Sequence, residues 1–175
     1  MAFDAEKEIS GLWRQLQSVQ TEIGRTYMRW RQAALALAGE KADPREVSLK
    51  AAEIIGFEFG KSLLPRLNWL KGEEGWLLGL ANAYAGYWTN HGAVVKLEKG
   101  ENPLEVFLKW ERCPWPTYAK EYNVDMEEDV LCCDRILKSV LRDVNVFFNV
   151  NYEIETLKAI PRGQGVCLRR LYKVG

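Results

Sequence analysis

An α+β fold is expected of this chain, with N-terminal helices packed on an antiparallel sheet of two hairpins with a helix between them. Apolar residues recur every three or four positions through the first half, the period of a helix with one buried face. After Asn90-His91-Gly92 the period falls to two, as half-buried strands require. Helical spacing then returns between two alternating stretches, before a last hairpin. Elements arranged in that order fit an antiparallel sheet covered by helices.

The first helix is expected from about Asp4 to Leu37. Ile9, Leu12, Trp13, Leu16, Val19, Ile23, Tyr27 and Trp30 stand three and four apart with charged residues between. Such a stripe is too long for a small domain to cover, so residues 1–40 are read as a dimerisation element and a second copy as the partner. Residues 41–175 are read as an α+β small-molecule-binding domain. Gly39 to Asp43 is a linker, and Asp43-Pro44 starts the next helix as an N-cap followed by proline at the first position. In it Gly56 and Gly60 share a face. Each costs up to about 1 kcal/mol relative to Ala. The usual return is close approach of another backbone, and the rarer one is room for a ligand.

A third helix, Glu73 to Thr89, is densely aromatic, and Asn90-His91-Gly92 stops it. Ala93 to Leu97, a turn, and Leu104 to Arg112 read as a hairpin, with Leu104, Val106, Leu108 and Trp110 on one face and Cys113 on the polar parity. Cys113-Pro114-Trp115-Pro116 breaks the sheet, since neither proline can donate to a ladder. A short helical piece follows at Tyr118 to Tyr122. The helix from Met126 to Val144 has an acidic first turn and a stripe of Val130, Cys133, Leu137, Val140 and Val144. Tyr152 to Ile160, a Pro161–Gly165 turn and Val166 to Val174 close the chain.

Composition narrows the function. Twenty-four basic residues balance 24 acidic ones, so no net field recruits nucleic acid or an anionic membrane. The basic run Arg162, Arg169, Arg170, Lys173 is split between two strand faces. No stretch approaches the roughly 18 apolar residues of a membrane span. The acidic N-terminus lacks the pattern of a secretory signal, and four cysteines without one point to a reducing, cytoplasmic setting. Seven Trp and seven Tyr suit pocket walls and interfaces, although such residues also serve as ordinary core.

The four cysteines, Cys113, Cys132, Cys133 and Cys167, all lie in the second half, on elements that would pack together. Cys167 shares its strand face with Arg169 rather than with Leu168 and Tyr172. Cys132 and Cys133 sit near a helix start, where exposed N–H groups lower a thiol pKa. A nucleophilic or metal-ligating cluster is one reading. The other is that buried thiols act as small hydrophobes, which Cys133 fits by lying on the apolar stripe. No CxxC or Cys/His zinc spacing is present. His91, the sole histidine, is placed either as a helix cap or, if the hairpin brings Cys113 to it, as a catalytic partner of that thiol.

Trp110-Glu111-Arg112-Cys113-Pro114-Trp115, Leu131-Cys132-Cys133-Asp134 and Gly163-Gln164-Gly165-Val166-Cys167 resemble, in order and spacing, the L-2-amino-thiazoline-4-carboxylic acid hydrolase-like family. That group is similar in layout to 4-vinyl-reductase (hydrocarbon-binding) domains, and the resemblance covers residues 50–175. It implies hydrolysis of a small cyclic C–N bond or a related small-molecule function. It also implies zinc held by Cys113, Cys132 and Cys167, with Cys133 a further candidate and Asp129 or Asp134 as a fourth ligand. The phenol-sensing relatives of the 4-vinyl-reductase group bind zinc through cysteines and a carboxylate, and the cysteine spacings here depart from theirs.

An enzyme would use Cys113 or Cys132 as nucleophile, or a zinc-activated water, with Arg112 or Arg169 holding a substrate carboxylate. A sensing domain would instead hold an apolar molecule among Trp76, Tyr84, Tyr87 and Trp88 and pass its signal through the first helix. A scaffold without ligand would use that aromatic face as an oligomer interface.

Overall fold

Ala5 to Ala38 form one uninterrupted helix, α1. The computed structural model describes residues 5–39 and 41–175; Asp4, the expected first residue of α1, and Glu40 of the linker lie outside them, as does the Lys7 side chain. The stripe of α1 turns away from the protein: Ile9, Leu16, Ile23 and Trp30 are all exposed, and of its expected members Tyr27 alone faces inward to any extent. A different face touches the body, through Gly24, Met28 and Arg31. Gly24 is there because a Cβ would stand 2.2 Å from the Tyr118 ring.

Pro44–Leu67 form α2, whose N-cap Asp43 accepts a hydrogen bond from the Arg45 backbone N–H at 2.9 Å. The helix lies along α5, Met126–Phe148. Gly56 and Gly60 face that helix, and a Cβ on Gly56 would come within 2.6 Å of the Ile136 carbonyl oxygen. Close backbone approach is therefore what the two glycines provide. Between them in sequence comes α3, Gly72–Asn90, which buries Leu77, Leu80, Tyr84 and Trp88 and ends at His91. The acidic start of α5 is capped by Asp125, which accepts from the Glu127 N–H, and its stripe residues Val130, Leu137, Val140 and Val144 are buried.

Four strands form one antiparallel sheet in the order β1-β2-β4-β3. The first hairpin is β1, Val94–Lys99, with β2, Glu105–Arg112. The second is β3, Tyr152–Lys158, with β4, Cys167–Lys173, joined through a 3-10 turn at Ile160–Arg162. The hairpins meet through their inner strands, from Glu105 opposite Tyr172 to Trp110 opposite Cys167. Between them run the short α4, Trp115–Glu121, and α5.

The helix-facing side of the sheet carries Val106, Leu108 and Trp110 from β2, as the alternation predicts. It also carries Cys167, Arg169 and Leu171 from β4. Cys167 and Arg169 do share a face, as the alternation predicts, but it is the buried one, and Leu168 and Tyr172 point the other way. An arginine in the parity pattern marks the outside only when nothing inside neutralises it. Arg169 has a carboxylate to meet.

Candidate functional site

Where α1 crosses α4 and α5 at the open end of the sheet, the helices do not close on one another. The cavity left there is walled mainly by carbon, and the volume open to the centres of water-sized molecules is about 80 Å³. A space of that size has room for a small molecule. Each wall has a traceable origin. The proline-flanked Trp115 starts α4, Tyr27 comes from the inner side of α1, and Trp88 and Tyr87 come from the end of α3. The floor is Trp110 of β2, which is 1% exposed.

All four cysteines line this cavity, with Asp129 and Arg169. Cys113 does so because the chain has left β2 before reaching it, so strand parity no longer sets its direction. Cys132 and Cys133 both reach the cavity from α5, Cys133 also packing into the core. The Cys167 sulfur accepts from the Ile160 backbone N–H at 3.2 Å. Yet among the described residues no three His, Cys, Asp or Glu side chains are grouped so as to hold a metal ion. The donor set does not fit the zinc that the sequence resemblance implies.

The other expected site residues divide. Tyr87, Trp88 and Arg169 line the cavity. Tyr84 is in the core, its hydroxyl donating to the Leu137 carbonyl at 2.8 Å. Trp76 packs on Phe148 at 4.5 Å between ring centroids and donates its indole N–H to the Leu70 carbonyl. Arg112 ends β2 in solvent. His91 donates from Nδ1 to the Tyr87 carbonyl at 2.7 Å, the helix-capping arrangement, and is not among the cavity-lining residues. Asp134 stands behind the wall, accepting from Arg169 at 3.1 Å and from the Thr156 hydroxyl at 2.7 Å.

Sequence reasoning missed Tyr27, Trp110 and Trp115 as wall residues and missed the rim entirely. At the rim Arg31 of α1 forks onto Glu128 of α5, Nε to Oε1 at 2.7 Å and Nη2 to Oε2 at 2.9 Å. Ser48 of α2 donates to the same carboxylate. Three helices are thus joined at one buried ion pair. Trp115 had a signal, since a tryptophan between two prolines at a sheet exit is held in place by rigid backbone. Arg31 had none, because its partner is 97 residues away.

Burial dominates the electrostatics. It pushes the Cys113 thiol up to about 12, against the pull of the Trp115 backbone N–H, and the Cys132 thiol also up to about 12. Cys133 is raised well above the ordinary thiol range for the same reason. The expectation that the helix start activates Cys132 and Cys133 is therefore corrected. Both lie beyond the first turn of α5, where the backbone N–H groups are already used by the helix.

Burial also pushes the Asp129 carboxyl up to about 7, with Arg169 pulling it down and Glu128 adding to the rise. A carboxyl whose folded pKa lies above its unfolded value is stabilising only while protonated. Its contribution is complete below the usual carboxylate range near pH 4 and is lost as pH rises toward about 7. Asp129→Asn is accordingly expected to be more stable than the wild type at neutral pH and to match it near pH 4. Urea unfolding of both proteins across that window checks this, and a pH-independent difference would sink it.

No protein-family model matches the chain, and no curated protein matches it. Solved structures do. A trafficking protein particle complex subunit 3 from Naegleria fowleri, covalently bound to palmitic acid, superposes with a TM-score of 0.52 at 10% identity, covering 89% of this chain and 97% of that one. The phenol-responsive sensory domain of the transcription activator PoxR, solved with phenol, superposes with a TM-score of 0.53 at 9% identity, covering 86% of this chain and 74% of that one. At such identities the likeness shows a shared α+β fold. No described helix is long and apolar enough to cross a membrane.

Proposed function

We propose that this protein binds a small, flat, mostly apolar molecule bearing one hydrogen-bonding group, and that the cavity between α1, α4, α5 and the sheet is its site. The observation that carries the proposal is Trp110. Its indole Nε1–H is buried with no acceptor among the described residues, in a residue that lines a cavity walled mainly by carbon. A buried donor left unpaired costs about 1–3 kcal/mol, and a ligand oxygen removes that cost. Asp129 offers a second hydrogen-bonding group, a carboxyl raised by burial to about 7, in the same wall. A hydroxyl satisfies either group, so a phenol is the simplest probe. The two structural neighbours, one solved with phenol and one with palmitic acid, support a ligand-binding role for the fold.

The test is calorimetric titration with phenol, benzene and palmitate, on the wild type and on Trp110→Phe. Wild type is expected to prefer phenol to benzene by about 1–3 kcal/mol, and Trp110→Phe to lose the preference. A wild type that binds none of the three ends the proposal. Preference for palmitate would keep the cavity but change the ligand class.

The four thiols in the wall favour a second reading, a thiol hydrolase of a cyclic C–N bond with Cys113 or Cys132 as nucleophile and Arg169 holding the substrate carboxylate. Protonated thiols are poor nucleophiles, and the raised pKa values of both weigh against it. Turnover abolished in Cys113→Ser with unchanged stability would favour the hydrolase.

A further inference from the structure

The outward face of α1 has a period of its own. Ile9, Leu16, Ile23, Trp30 and Leu37 are seven apart, and each is between 43% and 90% exposed. Three residues after the first two of these come Leu12 and Val19, 62% and 57% exposed. Thr26 and Ala33 fill the next two places of the same series. This is a 3-4 heptad seam sustained for about four heptads, the length at which such a pattern signals a coiled coil. The body of the protein does not compete for it. Gly24, Met28 and Arg31, which meet the rest of the chain, lie on the opposite side of the helix. A seam with a seven-residue repeat fits another helix with the same repeat, and this chain supplies one.

Charge sets the direction. Glu22 and Arg29 both stand on one flank of the seam, and within the chain they pair with each other. If two copies run parallel, these residues face Tyr27 and Ala34 of the other chain and find no opposite charge. If they run antiparallel, Glu22 faces Arg29 of the second copy twice over. In that register Leu16 lies across from Ala33, Ile23 from Thr26, Trp30 from Val19 and Leu37 from Leu12, large against smaller at most layers. The contact is isologous, so it closes as a two-fold dimer.

We propose that the outer face of α1 is the interface of an antiparallel coiled-coil homodimer, held by the Ile9–Leu37 seam and by Glu22 paired to Arg29 of the second copy.

The experiment is sedimentation velocity on the full chain, three variants and a mixture of two of them. Wild type is expected at twice the 20.1 kDa chain mass. Leu16→Glu/Ile23→Glu is expected at the single-chain mass with its thermal melt retained, since neither side chain packs on the body. Glu22→Arg alone and Arg29→Glu alone are each expected to dissociate at concentrations where wild type stays dimeric. An equimolar mixture of the two is expected to form a dimer again, because the charges then complement only between chains. A wild type that is monomeric or larger than a dimer overturns the proposal. So does a dimer that survives the seam double variant, or single variants that mixing does not rescue.

Discussion

Arg31→Met is expected to lower the stability of this protein by about 3–5 kcal/mol, the range for removing one partner of a buried ion pair. The side chains of Arg31 and Glu128 are only 11% and 5% exposed, and the Ser48 hydroxyl shares the Glu128 carboxylate. Taking away the guanidinium leaves a buried carboxylate with one hydroxyl for company. The loss is therefore not the worth of the pair but the desolvation of the charge left behind. The double variant Arg31→Met/Glu128→Leu removes both charges and is expected to recover most of it, since apolar replacement of a buried pair is often neutral or better. Urea unfolding of the three proteins checks this. A single variant within about 0.5 kcal/mol of wild type would mean that water reaches Glu128 and the pair acts as a surface one. Because Arg31 ties α1 to α2 and α5 at the edge of the cavity, the single variant is also expected to weaken the proposed binding there.

Gly56→Ala is expected to cost about 1–3 kcal/mol, near the upper end. Two effects oppose. Alanine in a helix interior gains up to about 1 kcal/mol over glycine. Its Cβ, however, would lie 2.6 Å from both the Ile136 carbonyl oxygen and the Ser139 Cβ, and 3.1 Å from the Ile136 Cα. Backbone cannot step aside as a side-chain tip can, so α2 and α5 must separate. Gly60→Ala meets a softer obstacle: its nearest neighbour, at 3.0 Å, is the Asp143 carboxylate oxygen, which a rotation removes. The Gly60 variant is therefore expected to be the milder of the two. A lower urea midpoint at unchanged slope for Gly56→Ala, with little change for Gly60→Ala, is the expected pattern. Equal effects at both positions would contradict it.

These two positions mark the limit of what the sequence disclosed. Gly56 and Gly60 four apart announced a close helix contact, because spacing on one helix is local information. The partner α5 was not announced, since nothing in α2 names the helix that will fill the groove. The same division runs through the site. The strands, the break at Cys113-Pro114-Trp115-Pro116 and the α5 stripe follow from periodicity and backbone chemistry, and they suffice to bring four cysteines to one cavity. Whether those sulfurs meet each other or an empty space depends on distances of a few ångströms, which period and propensity do not encode. Arg169 shows the failure most clearly. Alternation assigns an arginine to the solvent face of a strand, yet Asp134 and the Trp110 ring, 4.8 Å from its guanidinium, make the inner face its place. The aromatic face of α3 divides in the opposite sense: Tyr84 is core, Trp76 is half-buried against Phe148, and of the four only Tyr87 and Trp88, near the end of α3, reach the cavity.

The join between the two hairpins also bears on how the molecule assembles. Each hairpin closes a short loop, but β2 and β4 are brought together across roughly sixty residues of intervening chain. Closing so long a segment costs chain entropy before any strand contact repays it. The α4–α5 segment shortens that span by coiling it up, so the central ladder is expected to form after α5 has packed along α2. The floor of the cavity, Trp110 beside Cys167, sits in that ladder. The cavity floor is thus expected to form late in folding, after the two hairpins.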